Sequence, residues 1–278
     1  MPTPRIYVYT FCWNEEAILP FFLDHYGRFA ERIVVYDNGS TDRTVEIASA
    51  HPRCECYSFD TGGKFEERVL TTLRNRAWKE HRDVSDWAIV VDADEFLTFE
   101  GLDPLAVASH CDARGYSLVQ PIGYNIVLDA ESSLPAPGGL PLVEAHHLGV
   151  HKKKYSKPCM WSTRRVESSE LSLGSHSGVF RPMPRVYRDL RIRLYHYRYL
   201  GLEHMLARYR LYASRLSEFG REKGYGYQYL FPETRLRAEY EDAVRRRRDI
   251  RSSFSRSPVL GPVLRAAYGA VARMGMRL

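Results

Sequence analysis

The amino-acid sequence predicts an α/β protein with a mostly parallel central sheet flanked by helices. Three features carry this expectation. Strand-like and helix-like segments alternate through the first hundred residues, the strands are continuous apolar runs, and polar residues gather where those runs end. Continuous apolar strands separated by helices suit a parallel sheet that is covered on both faces.

Residues 5–12, RIYVYTFC, read as the first strand, being rich in β-branched and aromatic side chains. NEEAIL turns the chain, and Pro20 suits the first turn of a helix that places Phe22, Tyr26 and Phe29 on one face. RIVVYD (32–37) is the second strand. NGS follows as a turn whose Ser40 or Thr41 is positioned to cap the helix DRTVEIASA. CECYSFD (54–60) is the third strand, TGG the next turn, and residues 64–81 the third helix. DWAIVVD (86–92) is the fourth strand. Asp103 and Pro104 read as the N-cap and first residue of a further helix, and residues 116–128 as one strand. ESSLPAPGGLP (131–141) has the composition of a loop able to close over a ligand. RIRLYHY (191–197) is a late strand, and helices are expected at about 201–219 and 233–249. No internal repeat is present.

The chain has 278 residues, of which 44% are hydrophobic and 13% aromatic, enough for a sizeable core. A formal charge of +6 favours an anionic partner without choosing among nucleotides, acidic polymers, nucleic acid and anionic membranes. The five cysteines, Cys12, Cys54, Cys56, Cys111 and Cys159, lack the paired spacing of a zinc site and read as reduced thiols. No stretch is long and apolar enough to span a bilayer, and the N-terminus lacks a signal-peptide core, so a cytoplasmic location is expected.

In such sheets ligands sit beyond the carboxyl ends of the strands. Those ends carry Thr10, Asp37, Asp60 with Gly62 and Gly63, and then Asp92 and Asp94. The fourth strand runs AIVVDADEFL, so three carboxylates follow a buried segment within four positions. Buried carboxylates need a countercharge, and oxygen donors of this kind suit Mg²⁺ or Mn²⁺ that also bind substrate phosphates. The competing explanation is an acidic turn paired with arginines.

Residues 14–44 and DWAIVVDADEFL (86–97) resemble the family 2-like glycosyltransferases with a GT-A fold, in the branch whose metal motif reads DADEF. The resemblance is dense over residues 5–100. KP (157–158), SH (175–176) and LYHY (194–197) look like later landmarks. It implies a GT-A domain over 1–200, with a nucleotide-sugar half at about 1–100 and an acceptor half at about 101–200. Residues 201–278 would then be a basic helical extension.

The implied activity is metal-dependent transfer of a sugar from a UDP- or GDP-sugar to a glycan or lipid-linked acceptor, in cell-surface polysaccharide synthesis. The implied donor-binding residues are Thr10, Phe11, Trp13, Asn14, Asp37, Asp92 and Ala93. Asp94 would be the metal ligand, with Asp92 beside it and His196 as a further ligand; His176 is the rival histidine. Lys157, or the run Lys152 to Lys154, is within range of the diphosphate, and Arg68, Arg74 and Arg76 are placed to read base or phosphates. An inverting transfer also needs a carboxylate base. The acidic pair that family members use has no clear counterpart here, which leaves Glu167 and Glu170 as candidates.

Two other readings compete. A sugar nucleotidylyltransferase would share the fold class and the metal, but no glycine-rich N-terminal loop for a triphosphate is present. A carbohydrate- or nucleic-acid-binding module would use the basic C-terminal third, whose arginines and tyrosines fall at helical spacing and suit packing better; nucleic acid is not the expected partner. The segment 258–278 combines apolar residues with Arg265, Arg273 and Arg277, a pattern compatible with peripheral contact with an anionic membrane.

Overall fold

The computed structural model describes residues 2–136 and 138–251. Strands β1 (Ile6–Cys12), β2 (Arg32–Asp37), β3 (Cys54–Ser58) and β4 (Trp87–Val90) pair in parallel, with β1 between β2 and β4 and β3 beyond β2. β1 is buried throughout, which is why its apolar pattern does not alternate. The sheet continues through β9 (Met160–Ser162), antiparallel to β4, then β6 (Leu118–Val119) and β12 (Val186–Tyr187), to a total of seven strands.

Helices α1 (Leu19–Gly27), α2 (Thr44–Ala50) and α3 (Glu67–Arg76) connect the parallel strands. α1 buries Leu19, Phe22, Leu23 and Tyr26 against the sheet. α4 (Pro104–Arg114) begins as its sequence predicts: Asp103 caps it by accepting from the Leu105 amide, and Gly115 ends it at φ 73°.

A second sheet of five strands follows the order β14 (Arg248–Asp249), β8 (Leu148–His151), β7 (Ile122–Leu128), β13 (Ile192–Leu200), β5 (Glu95–Phe99). β5 begins within the DADE motif, so the motif is the junction between the two sheets. A small hairpin of β10 (Ser168–Leu171) and β11 (Gly178–Arg181) lies apart from both. After the short α5 (Leu142–Ala145) come helices α6 (Leu202–Arg215), α7 (Glu218–Lys223) and α8 (Glu233–Arg246), of which α6 and α8 pack on β7, β8 and β13 through Tyr199, Met205, Leu206 and Tyr240.

Three expectations are corrected. Residues 116–128 form two strands in different sheets, β6 and β7, because Pro121 between them cannot donate to a ladder. Ser40 and Thr41 do not cap α2. Ser40 bonds to Asp37, Thr41 bonds to Asn14, and the α2 amide of Thr44 is satisfied by Asp42 Oδ1 at 2.9 Å. The strand read at 191–197 runs on to Leu200, with a register shift between His196 and Tyr199, so His196 lies inside β13. The membrane-contact segment 258–278 lies outside the described residues. Among those described, no helix is long and apolar enough to cross a membrane.

His25 on α1 gives a pH-dependent contribution to this core. Its ring lies against Phe96, and its Nε2 is 3.0 Å from the Leu97 carbonyl oxygen. Burial pushes its pKa down to about 4. The unfolded chain binds that proton at about pH 6.5, so the stability contributed by the neutral ring is complete above about 6.5 and falls as pH drops toward about 4. His25→Gln is expected to flatten the fall in thermal midpoint between pH 6.5 and 4; an unchanged slope would assign it to other groups.

Candidate active site at the junction of the two sheets

The carboxyl ends of β1 and β2 are tied together before any charge is placed. Asn14 adopts φ 52°, donates its amide to Ser40 Oγ at 2.9 Å, and accepts from the Thr41 amide at 2.8 Å. Asp37 accepts from the Ser40 amide at 2.9 Å and from the Ser40 hydroxyl. Asn38 accepts from Thr61, which joins the end of β3 to the same group. Phe11 stacks on Tyr36 with centroids 5.4 Å apart, and Thr10 is fully buried behind them.

The DADE segment carries the charges. Asp92 Oδ1 accepts from Arg74 Nη2 at 2.6 Å, and Arg74 also reaches Glu67 at 3.4 Å. Burial would raise the Asp92 pKa, but Arg74 and Lys157 hold it well below the ordinary carboxylate range. Glu95 and Lys157, each 1% exposed, form a buried ion pair of 2.7 Å, and Glu95 Oε2 accepts from the Asp92 amide at 3.0 Å. Ala93 is packed into the core between them. Lys157 stays an ammonium: burial lowers its pKa, and Glu95 with Asp92 more than reverses that.

Asp94 faces a different set of partners. Its Oδ2 lies 3.5 Å from His196 Nε2, and His196 Nδ1 lies 3.0 Å from Asn125 Oδ1. An amide oxygen only accepts, so Nδ1 carries the proton and Nε2 presents its lone pair to the carboxylate. Burial lowers the His196 pKa to about 3, so its ring is neutral at neutral pH, and burial raises that of Asp94. Two electron-pair donors 3.5 Å apart, one oriented by Asn125, are a donor set that fits a divalent cation. Among the described residues no group of three or more His, Cys, Asp and Glu side chains could hold a metal. The protein therefore offers two groups, and the remaining ligands would be waters and phosphate oxygens, as Mg²⁺ and Mn²⁺ favour.

Tyr155 braces this end. Its ring lies against His196, tilted by 34° with centroids 4.4 Å apart, and meets the His176 ring edge-on at 5.6 Å. Gly123 of β7 makes room for the turn, because a Cβ there would meet the Tyr155 carbonyl carbon at 2.1 Å.

The structure thus brings Thr10, Phe11, Trp13, Asn14, Asp37, Asp92, Ala93, Asp94, Lys157 and His196 to one junction, with His176 exposed at its rim. Within the junction Asp92 is engaged by Arg74 and so is not a free second ligand. Others lie apart. Arg68 is exposed and lies over Phe219, and Arg76 is an exposed partner of Glu80, so of the three arginines on α3 only Arg74 enters the site. Glu167 lies by Arg82 and Arg164, next to the loop that enters β4 and hence at the opposite end of the sheet. Glu170 faces outward on β10 beside Arg181. Neither glutamate is placed to serve as a base in this cluster.

Residues that sequence reasoning missed complete the wall. Glu15, 3% exposed, receives both arms of Arg208 from α6, at 2.6 and 2.5 Å. Arg215 lies over the Trp13 ring at 3.5 Å from its centroid and donates to the Gly63 carbonyl at 2.9 Å. The only signal for Glu15 was its position just past a strand end; Arg208 and Arg215 gave none.

Residues 7–131 match the family described as Glycosyl transferase family 2, which bears out the resemblance read from the sequence. Among solved structures, the chain is similar to glucosyl-3-phosphoglycerate synthase from Mycobacterium tuberculosis in complex with Mn²⁺, uridine diphosphate and phosphoglyceric acid. That match has 20% identity and a TM-score of 0.30, and covers 43% of each chain. The same enzyme with Mg²⁺ and uridine diphosphate matches at 22% identity and a TM-score of 0.28, over 43% of this chain and 44% of that one. The chain spans under half the length of these structures. No curated protein matches it.

Proposed function

We propose that this chain, whose residues 7–131 match glycosyl transferase family 2, is a metal-dependent glycosyltransferase that moves a sugar from a nucleoside diphosphate sugar to an acceptor hydroxyl. The observation that carries the reading is the Asp94 and His196 pair, two largely buried electron-pair donors 3.5 Å apart at the junction of the two sheets. A divalent cation bound there supplies charge neutralisation for the departing nucleoside diphosphate. Asp94 and His196 would hold the ion, with His196 kept in its tautomer by Asn125 and packed against the Tyr155 ring.

The other residues have separable duties. Phe11, Trp13 and Asp37 stand where base and ribose would lie, since they end β1 and β2 around a turn already rigid through Asn14 and Ser40. Arg74 and Lys157 hold Asp92 ionised and in place. The acceptor we favour is a glycan or lipid-linked hydroxyl compound in cell-surface polysaccharide synthesis, with inversion at the transferred carbon; this rests on the sequence resemblance.

The test is product analysis with a panel of UDP- and GDP-sugars, with and without Mn²⁺. Release of the free nucleoside diphosphate that requires Mn²⁺ is the expected result. Release of inorganic diphosphate from a nucleoside triphosphate and a sugar phosphate would favour nucleotidylyl transfer instead.

A further inference from the structure

Arg208 is the feature of this site that metal and sugar transfer leave unexplained. It comes from α6, far along the chain from Glu15, and its guanidinium Nη2 stands 3.9 Å from Asp94 Oδ2 while both arms grip Glu15. The Glu15 carboxyl is itself buried; burial pushes its pKa up and Arg208 opposes the shift. Tyr212 and Arg215 continue along α6 toward the end of β1. Tyr212 Oη lies 3.4 Å from Arg208, its ring meets Trp13 edge-on, and Arg215 covers Trp13. The Phe65 amide donates to the Arg215 carbonyl at 2.8 Å, so α6 is fastened across the strand ends at two points.

The space left under this helix is small. The cavity bounded by Asn14, Glu15, Asp94, His204 and Arg208 measures about 20 Å³, which is room for about one water molecule. A diphosphate reaching Asp94 from this side must shift the Arg208 side chain or α6.

Asp94 Oδ2 therefore has a fixed positive charge beside it, and a divalent ion on the same carboxylate would be repelled by that charge. A diphosphate changes the sign of the interaction, since its oxygens attract both cations and its charge exceeds what one divalent ion neutralises. We propose that Arg208 couples divalent-metal binding to nucleoside-diphosphate binding: it opposes the ion at Asp94 alone and binds the diphosphate when both arrive. This inference rests on the reading of the site as one for a nucleoside diphosphate sugar. If Arg208 and Glu15 only pin α6, no such coupling follows.

The test uses the full chain with Arg208→Gln, Arg208→Lys, and the double variant Arg208→Gln with Glu15→Gln, which leaves no orphaned carboxylate at position 15. Binding of Mn²⁺ alone is measured by electron paramagnetic resonance. Binding of UDP, GDP and inorganic pyrophosphate is measured by calorimetry with and without Mn²⁺. In the wild type, Mn²⁺ is expected to tighten binding of the preferred nucleotide at least about tenfold. In the double variant, Mn²⁺ alone should bind about threefold tighter or better, and the nucleotide's gain from Mn²⁺ should fall below about threefold. Arg208→Lys should keep most of the coupling, because it keeps the charge, and pyrophosphate should show the same pattern as the nucleotide. Unchanged coupling in the folded double variant would overturn the inference while leaving the donor reading intact. A wild-type protein that binds neither Mn²⁺ nor any of these phosphates in any combination would overturn the donor reading itself.

Discussion

Asp94→Asn is expected to lower kcat/KM for sugar transfer by at least about 10³-fold, or about 4 kcal/mol of transition-state stabilisation, with the fold intact. The substitution keeps shape and removes the charge that would meet the ion. Folding should tolerate it, because Asp94 is a buried carboxylate whose pKa burial raises, and Arg208 keeps its bidentate partner in Glu15. The backbone is also unaffected, since Asp94 contributes to the sheet through its carbonyl, which accepts from the Tyr197 amide at 2.8 Å. Turnover with a nucleotide-sugar donor and a thermal melt decide the matter together. Mn²⁺-dependent turnover within tenfold of wild type would remove Asp94 from the metal site, and a collapsed melt would mean that the side chain is structural.

Lys157→Met is expected to do the reverse, damaging the fold first and activity as a consequence. Lys157 and Glu95 are each 1% exposed and pair at 2.7 Å. Removing one member of such a pair leaves an uncompensated buried charge and costs roughly 3–5 kcal/mol. For a chain of this size that corresponds to a fall in thermal midpoint of roughly 10 °C. The loss should propagate to the site, because Glu95 Oε2 holds the Asp92 amide and so fixes the DADE turn. Adding Glu95→Gln to Lys157→Met keeps an acceptor for that amide while removing the orphaned charge, and should recover most of the midpoint. If the single variant melts within a few degrees of wild type, the pair is not the brace inferred here.

The contrast between these residues shows what a sequence makes legible. Lys157 sits near a lysine run that reads as a solvated surface or as a reach toward phosphate. Only the tertiary structure, which buries it against Glu95 at the start of β5, reveals it as a core residue neutralising that carboxylate. Arg68, Arg74 and Arg76 are indistinguishable as residue types on one predicted helix, and their order of burial is set by the face of α3 that meets the sheet, where Arg74 is 7% exposed. Glu167 and Glu170 stand out in the sequence only as acidic residues late in the chain; Glu170 faces outward on the β10–β11 hairpin, and Glu167 lies by Arg82 at the far end of β4.

What the sequence by itself determined is local. Apolar runs of strand length alternating with helical periodicity require a covered parallel sheet, and the residues that stop each run, Thr10, Asp37 and Asp92 with Asp94, are thereby delivered to one edge. What only the tertiary structure decided is every partnership across long separations: His196 with Asp94, Lys157 with Glu95, and above all Glu15 with Arg208. Such partners meet because two sheets join within one motif and a late helix crosses the strand ends. Charge pairing between distant segments leaves no periodicity in the sequence, since it depends on where the intervening elements place two side chains and on the burial that makes their pairing obligatory.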